Sequence, residues 1–272
     1  MTKTCLAVVI AVGLAAGLWA QAAKQPMAKS KKEYEAVMAV QNAVDPDSRI
    51  KAAEELLHKY ADTQFKEYAL QMETMAYQQK NDFDNMLIAG ELTLEVNPDN
   101  VGVLIALAAA IPQRTREHDL DKEENLSKAE KIAAKAETVI PNLAKMNPQI
   151  SDEDWANYKK SAMSQTHEAL GRVAYVRRNY PAAEKAFLAA ADVSPQPDAM
   201  TLYELGLTYA AQDKYDQAIA AFDKSMSAGG VKVGDRDLAA ERKAAAVKAK
   251  LEGPPPKPAT PAPPPEAEVK RP

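Results

Sequence analysis

The chain has 272 residues, 46% of them hydrophobic and 26% charged, with a formal net charge of -4; that balance supplies no basic field to attract nucleic acid, which is therefore excluded as an expected partner. Alanine is prominent and phenylalanine occurs only four times, which favours an all-α fold. The single cysteine, Cys5, rules out an internal disulfide and a thiolate metal site.

Residues 1–22 read as a signal peptide. Lys3 precedes an apolar run from Cys5 to Ala20, and Ala20-Gln21-Ala22 forms a small-x-small cleavage site. The run is shorter than the roughly 20 residues that a membrane span needs. The expected location is periplasmic or secreted, with no membrane span after signal cleavage and with Cys5 lost. The alternative is an uncleaved N-terminal anchor that tethers the same chain to a membrane.

A helix pair is predicted over 30–64. Ser30 stands three residues before Glu33, a capping-box spacing, and Tyr34, Val37, Met38, Gln41 and Val44 follow on one helical face. Asp45-Pro46 closes that helix and opens another, since Asp caps an N-terminus and Pro fits the first turn. Ile50, Ala53, Leu57 and Tyr60 make its buried stripe. A second unit, 67–100, carries Leu70, Tyr77, Phe83 and Pro98. A third, 101–148, begins with Leu104, Leu107, Ala108 and Ile111, and Pro112 is expected to stop this helix. After a polar insertion over 113–121, Asp121 and Glu124 start a partner helix through Leu126, Ala129, Ile132, Ala133, Ala136 and Ile140. That helix is expected to reach about Met146, with a kink near Pro141.

Ser151 and Asp154 then cap a helix that runs from Trp155 through Tyr158, Ala162 and Met163 into a fourth unit, 152–197. In the fifth, 199–232, Leu202, Leu205, Gly206 and Tyr209 line one helix, a turn falls at Gln212-Asp213, and Tyr215, Ala218, Ile219 and Phe222 line the next. The last two units repeat. Leu170, Gly171, Ala174, Tyr180, Ala183 and Phe187 stand in the order of Leu205, Gly206, Tyr209, Tyr215, Ala218 and Phe222, 35 residues apart, and Pro195 closes the first where Gly230 closes the second. A period near 34 points to stacked helical pairs.

On these residues the chain resembles the tetratricopeptide repeat family, of the exported bacterial type. The resemblance implies an α-solenoid of antiparallel helix pairs, with Leu170, Gly171, Ala183, Phe187, Leu205, Gly206, Ala218 and Phe222 as its structural residues. The chain departs from the pattern at Ala174 and Gly230, and in the second unit at Thr74, Met86 and Gly90, where a cavity or an unusual neighbour is expected. Two adjacent helices, before and after Pro148, are about two turns longer than the family norm, and we read them as a matched extension in which the first covers Trp155 and Tyr158. Residues 235–252, with Leu238, Val247 and Leu251, read as a helix capping the array. Residues 253–272 hold nine of the 18 prolines and read as an extended, disordered Pro-rich tail.

Nothing in the chain reads as a catalytic, cofactor or metal site. His58, His118 and His167 lie far apart, and no nucleophile elbow or phosphate loop occurs. An enzyme built on Arg114, Arg116 and His118 would lack a base, a nucleophile and an orienting third group. The resemblance instead implies a concave groove lined by the first helix of each pair. By position it would show Tyr68, Gln71, Met75 and Gln78, then Ile105 and Ala109, then Gln165, Glu168, Arg172 and Tyr175, then Met200, Tyr203 and Leu207. Some of these side chains are equally well placed to pack between repeats. Lys and Asn suited to a terminal carboxylate are absent, whereas Tyr and Met suit a hydrophobic segment or helix of a protein partner. The expected function is a non-catalytic interaction scaffold; the alternative is a structural spacer or tether acting through the tail.

Overall fold

The computed structural model describes residues 26–253, apart from Met146 and Pro148; the stretch read as a signal peptide, 1–22, and all of the stretch read as a Pro-rich tail beyond residue 253 lie outside the described residues. Within them, eleven α-helices pack as successive neighbours: α1 (Lys31–Asn42), α2 (Pro46–Lys59), α3 (Lys66–Gln79), α4 (Phe83–Val96), α5 (Val101–Arg114), α6 (Lys122–Val139), α7 (Asp152–Val176), α8 (Tyr180–Val193), α9 (Ala199–Ala210), α10 (Tyr215–Ser227) and α11 (Leu238–Glu252). A two-residue hairpin, β1 (Lys232–Val233) with β2 (Arg236–Asp237), leads into α11. The buried residues form a series of local clusters along the chain, which fits a linear array better than one central core.

Three of the helix pairs turn in the same way. Asn81, Arg178 and Asp213 adopt φ of 55°, 62° and 59°. The amide of the following residue reaches back to the carbonyl of Tyr77, Ala174 or Tyr209. This is the left-handed C-terminal stop in which both the αL residue and its successor satisfy orphan carbonyls. Asp82 and Asn179 then cap the second helix by accepting from the amides of Asn85 and Ala182. In the pair α5–α6 no such stop is made: α5 ends at Arg114, and the insertion follows.

Each of the last two pairs is closed by a large side chain on a small one. The ring of Phe187 lies where a Cβ on Gly171 would be 2.7 Å away, and the ring of Phe222 stands 2.5 Å from the same point on Gly206. Phe187 and Phe222 are 1% and 0% exposed. In the second unit the sizes are exchanged. Thr74 occupies the place of the glycine, Gly90 that of the phenylalanine, and the space beside Gly90 is filled by Leu107 of α5, 2.7 Å from its virtual Cβ. The neighbour expected there is thus the next repeat, and no cavity is needed.

Several helix details differ from the sequence reading. The buried face of α1 is Glu33, Val37 and Val40, while Val44 is 94% exposed and Gln41 is also exposed, because the chain turns toward α2 just after Asn42. Leu56, not Leu57, is fully buried on α2. Pro112 sits inside the last turn of α5, where the lost backbone bond falls near the end of the ladder. α6 stops at Val139 and passes into a 3-10 turn at Ile140–Asn142 instead of continuing as a kinked helix. That turn still supplies Ile140 and Leu143 to the cluster against which Trp155 packs, whereas Tyr158 stacks on Trp155 at 5.0 Å and remains exposed. The extension therefore covers one of the two rings. On α11 the buried residues are Ala239 and Ala246; Val247 and Leu251 face solvent, and Lys243 and Lys250 pair with Asp223 and Asp216 of α10. A small-residue face lets α11 lie close against the last repeat.

Candidate functional site

The first helix of each pair sets a row of side chains along one face of the array, and the structure divides that row into buried and accessible members. Tyr68 and Gln71 are 8% and 4% exposed. Tyr68 packs with Val37, Val40, Ala53 and Leu56 of the N-terminal pair, and Gln71 accepts from Asn100 Nδ2 at 3.2 Å. Tyr203 is withdrawn as well: its ring stands 5.9 Å from that of Phe222 in the terminal cluster. These three belong to packing between elements and are corrected as groove residues. Tyr203→Ala is accordingly expected to destabilise the chain. The accessible members are Met200, 41% exposed, Gln78 and Gln165, which are also exposed, and the half-buried Met75, Ile105, Ala109, Tyr175 and Leu207.

Between α7 and α9 the row becomes charged. Arg172 donates from Nε to Glu204 Oε1 at 2.7 Å, and its terminal nitrogen stands 3.7 Å from Glu168 Oε2. Glu168 Oε1 accepts from Thr201 Oγ1 at 2.5 Å, and the Thr201 amide is held by Asp198. Burial pushes the carboxyl groups of Glu168 and Glu204 above the ordinary range, opposed for Glu168 first by its Thr201 hydrogen bond and for Glu204 first by the charge of Arg172. Glu204 Oε2 has no hydrogen-bond partner among the described residues. Tyr175 lies beside this cluster, edge-on to Tyr180 at 5.5 Å. Burial raises its phenol, with Arg242 of α11 acting in the opposite direction.

The same arrangement of a buried carboxylate at the start of one unit and polar groups at the start of the next recurs twice upstream. Glu67 Oε1 accepts from Asn97 and Asn100 at 2.7 and 2.8 Å. Glu33 accepts from Thr63 Oγ1 at 2.7 Å and, with its other oxygen, from the Lys29 amide at 2.6 Å. The capping-box reading of Glu33 thus captured half of its role, because one oxygen satisfies a helix-start amide and the other joins the next unit. These links were missed in the sequence. Their signal was a Glu followed 30 to 33 residues later by Thr or Asn.

The insertion residues are engaged in local structure. Arg114 donates to the Asn81 carbonyl at 3.0 Å and stands over the Phe83 ring, and the Arg116 amide donates to Asp119 at 2.6 Å. With Asp82, Asp84 and Asp121 they line an open depression of about 490 Å³. His167 lies 3.2 Å from Glu137 on α6. Among the described residues, no three of His, Cys, Asp and Glu converge as a metal site requires, and no helix is long and apolar enough to cross a membrane.

Among solved structures, a thermophilic TPR protein from Thermus thermophilus aligns over 79% of this chain and 98% of its own, with a TM-score of 0.50 at 17% identity. The chain has a tetratricopeptide-repeat fold. A tetratricopeptide repeat protein from Parabacteroides merdae covers 80% of the chain and 100% of its own at 13% identity and a TM-score of 0.35. An assembly chaperone of RpL4 covers 81% and 97% at 10% identity and a TM-score of 0.46. No family model matches the chain, and no curated protein does.

Proposed function

We propose that this protein is a non-catalytic, exported scaffold that holds segments of other proteins against the inner face of its solenoid. A TPR-like fold suits protein interaction. The observation that carries the reading is the run of accessible apolar side chains on that face, Met75, Ile105, Ala109, Tyr175, Met200 and Leu207, beside polar groups already occupied by internal bonds. Methionine and tyrosine offer adaptable contact area with a small ordering cost.

A photo-crosslinking amino acid placed at position 200 or 207 should capture a partner, whereas one at the outer positions 88 or 188, where Ile88 and Leu188 are 58% and 43% exposed, should not. Equal capture from both faces would end the groove reading. Export rests on residues 1–22, and retention in the cytoplasm would overturn it; an intact N-terminus on the exported chain would favour the uncleaved anchor over the cleaved signal. The Pro-rich tail supports a second role as tether. Deleting 253–272 should leave partner capture intact, and loss of position in the envelope with the deletion would favour the tether.

A further inference from the structure

We infer that α11 pairs with the α11 of a second copy of this chain, antiparallel and about a two-fold axis, so that two solenoids join through their terminal helices. The helix that ends a repeat array keeps it soluble by presenting a polar outer side, and α11 does so only in part. Lys243 and Lys250 bond to Asp223 and Asp216 of α10, which fixes the side that α11 turns to the array. Beside that contact Ala240, Ala244, Val247 and Leu251 follow one another at spacings of four, three and four residues, so they form one line along the helix. All four are exposed, Val247 at 38% and Leu251 at 80%. This spacing is that of a seam between two paired helices.

Charge names the occupant. Along the outer flank of the seam stand, in chain order, Arg236, Glu241, Lys248 and Glu252. Arg236 is held there by two hydrogen bonds of 2.6 Å to Glu241, and Lys248 stands 3.8 Å from Glu252. The signs alternate, beginning positive and ending negative, so the row read backwards is its own complement. Antiparallel copies set Glu241 against Lys248 and Arg236 against Glu252, each twice by symmetry. Parallel copies would set every charge against its like, at a cost. The same antiparallel register places Ala240 opposite Leu251 and Ala244 opposite Val247, so each larger side chain meets a methyl group and the backbones approach closely. On the inner flank Lys243 and Lys250 would meet, but the aspartates of α10 already neutralise them. The 15 residues of α11 make about 22 Å of helix. One such face buries less than the ~800 Å² per partner of a standard interface. The dimer is therefore a weak one that forms as concentration rises.

Sedimentation of the purified protein from about 1 μM to about 1 mM should show its mass rising from that of one chain toward twice that value. Lys248→Glu turns two contacts from attraction to repulsion and should weaken the dimer about tenfold. Glu241→Lys should do the same, and the two together should restore it, because the exchanged row still matches its own reverse. Leu251→Gln should weaken it at least tenfold through lost burial. All four variants change exposed side chains, and circular dichroism should show their helix content and melting temperature near the parent's at low concentration. A photo-crosslinking residue at position 251 should attach to the second copy near Ala240. Several results would overturn the pairing: a single chain at every concentration, crosslinks from 251 to 251, or a dimer indifferent to Leu251→Gln and to both single reversals. A double exchange no better than its parts would do so too. If the dimer appeared only after deletion of residues 254–272, the occupant of the seam would be the chain's own C-terminal segment and not a second copy. Partner capture at positions 200 and 207 is a separate measurement, so failure here leaves the proposed function standing, and the reverse.

Discussion

Glu73 provides the sharpest test of how this solenoid is held together. It lies on α3, 8% exposed, with Oε1 lacking a partner among the described residues, and it is the place where the two later units carry Leu170 and Leu205. Burial, reinforced by the nearby charge of Glu54 on α2, pushes its carboxyl from 4.5 to about 7. The sign follows from proton counting. Below about pH 4.5 the group is neutral in both states and costs nothing. As pH rises toward 7 the unfolded chain releases the proton while the folded chain keeps it, so stability falls; above about 7 the loss is complete. The gap between 4.5 and about 7 corresponds to about 3 kcal/mol at most. Relaxation and water entry at the α2–α3 junction should leave roughly half of that.

Glu73→Gln keeps the shape and removes the charge. It should match the parent near pH 4.5 and exceed it by about 1 to 2 kcal/mol at pH 8, or about 2 to 8 °C in melting temperature for a chain of this size. Glu168 and Glu204 are raised in the same direction, so the parent's pH slope alone does not isolate Glu73. The difference between parent and variant does. Parallel melting curves from pH 4.5 to pH 8 would refute the assignment of Glu73 as an ionisable group buried without a partner.

Phe187→Ala empties the space over Gly171 and should cost about 3 to 5 kcal/mol in a denaturant titration. Gly171→Ala places a methyl 2.7 Å from the Phe187 ring; crowding should cost about 1 to 3 kcal/mol, more than the roughly 1 kcal/mol gained in helix propensity, and calorimetry reads the sign. Gly90→Ala instead meets the flexible end of Leu107, so its change should be smaller than that of Gly171→Ala in the same assay. Arg178→Gly relieves a side chain held at φ 62° and should raise stability by up to about 1 kcal/mol in thermal denaturation, with Asn179 still capping α8. Met200→Ala, on an accessible side chain, should leave the melting temperature unchanged while weakening peptide capture, in contrast to Tyr203→Ala, which should lower it.

Much of the architecture was legible in the chain because its signals are local. The turn at Gln212-Asp213, the caps at Ser30, Asp45 and Ser151, and the recurring Leu, Gly, Ala and Phe positions each depend on residues within about one repeat, and the spacing of 35 residues between Gly171 and Gly206 states the stacking directly. Helix ends were read less well where the competing signals were also local. Pro112 looked like a stop, yet a proline near the end of a helix forfeits only one late backbone bond. Side-chain exposure was harder to read. Gln71 and Tyr203 stand at positions that the family resemblance gives to a groove, but whether such a residue meets solvent depends on its neighbours. Asn100 of the next unit claims Gln71, and the terminal cluster with Phe222 and α11 claims Tyr203.

Sequence by itself determined the helices, their pairing and their order, since propensity, capping and the period of apolar residues act over a few turns at most. Only the tertiary structure decided which carboxylates are buried and with whom they bond. Glu67 and Glu204 look like ordinary solvated charges in the chain, Glu33 like a helix-start residue alone, Glu168 like a groove residue, and Glu73 like any surface glutamate. Their partners lie in a neighbouring helix or loop, up to 33 residues away, and the balance between desolvation and pairing exists only once two units have closed against each other.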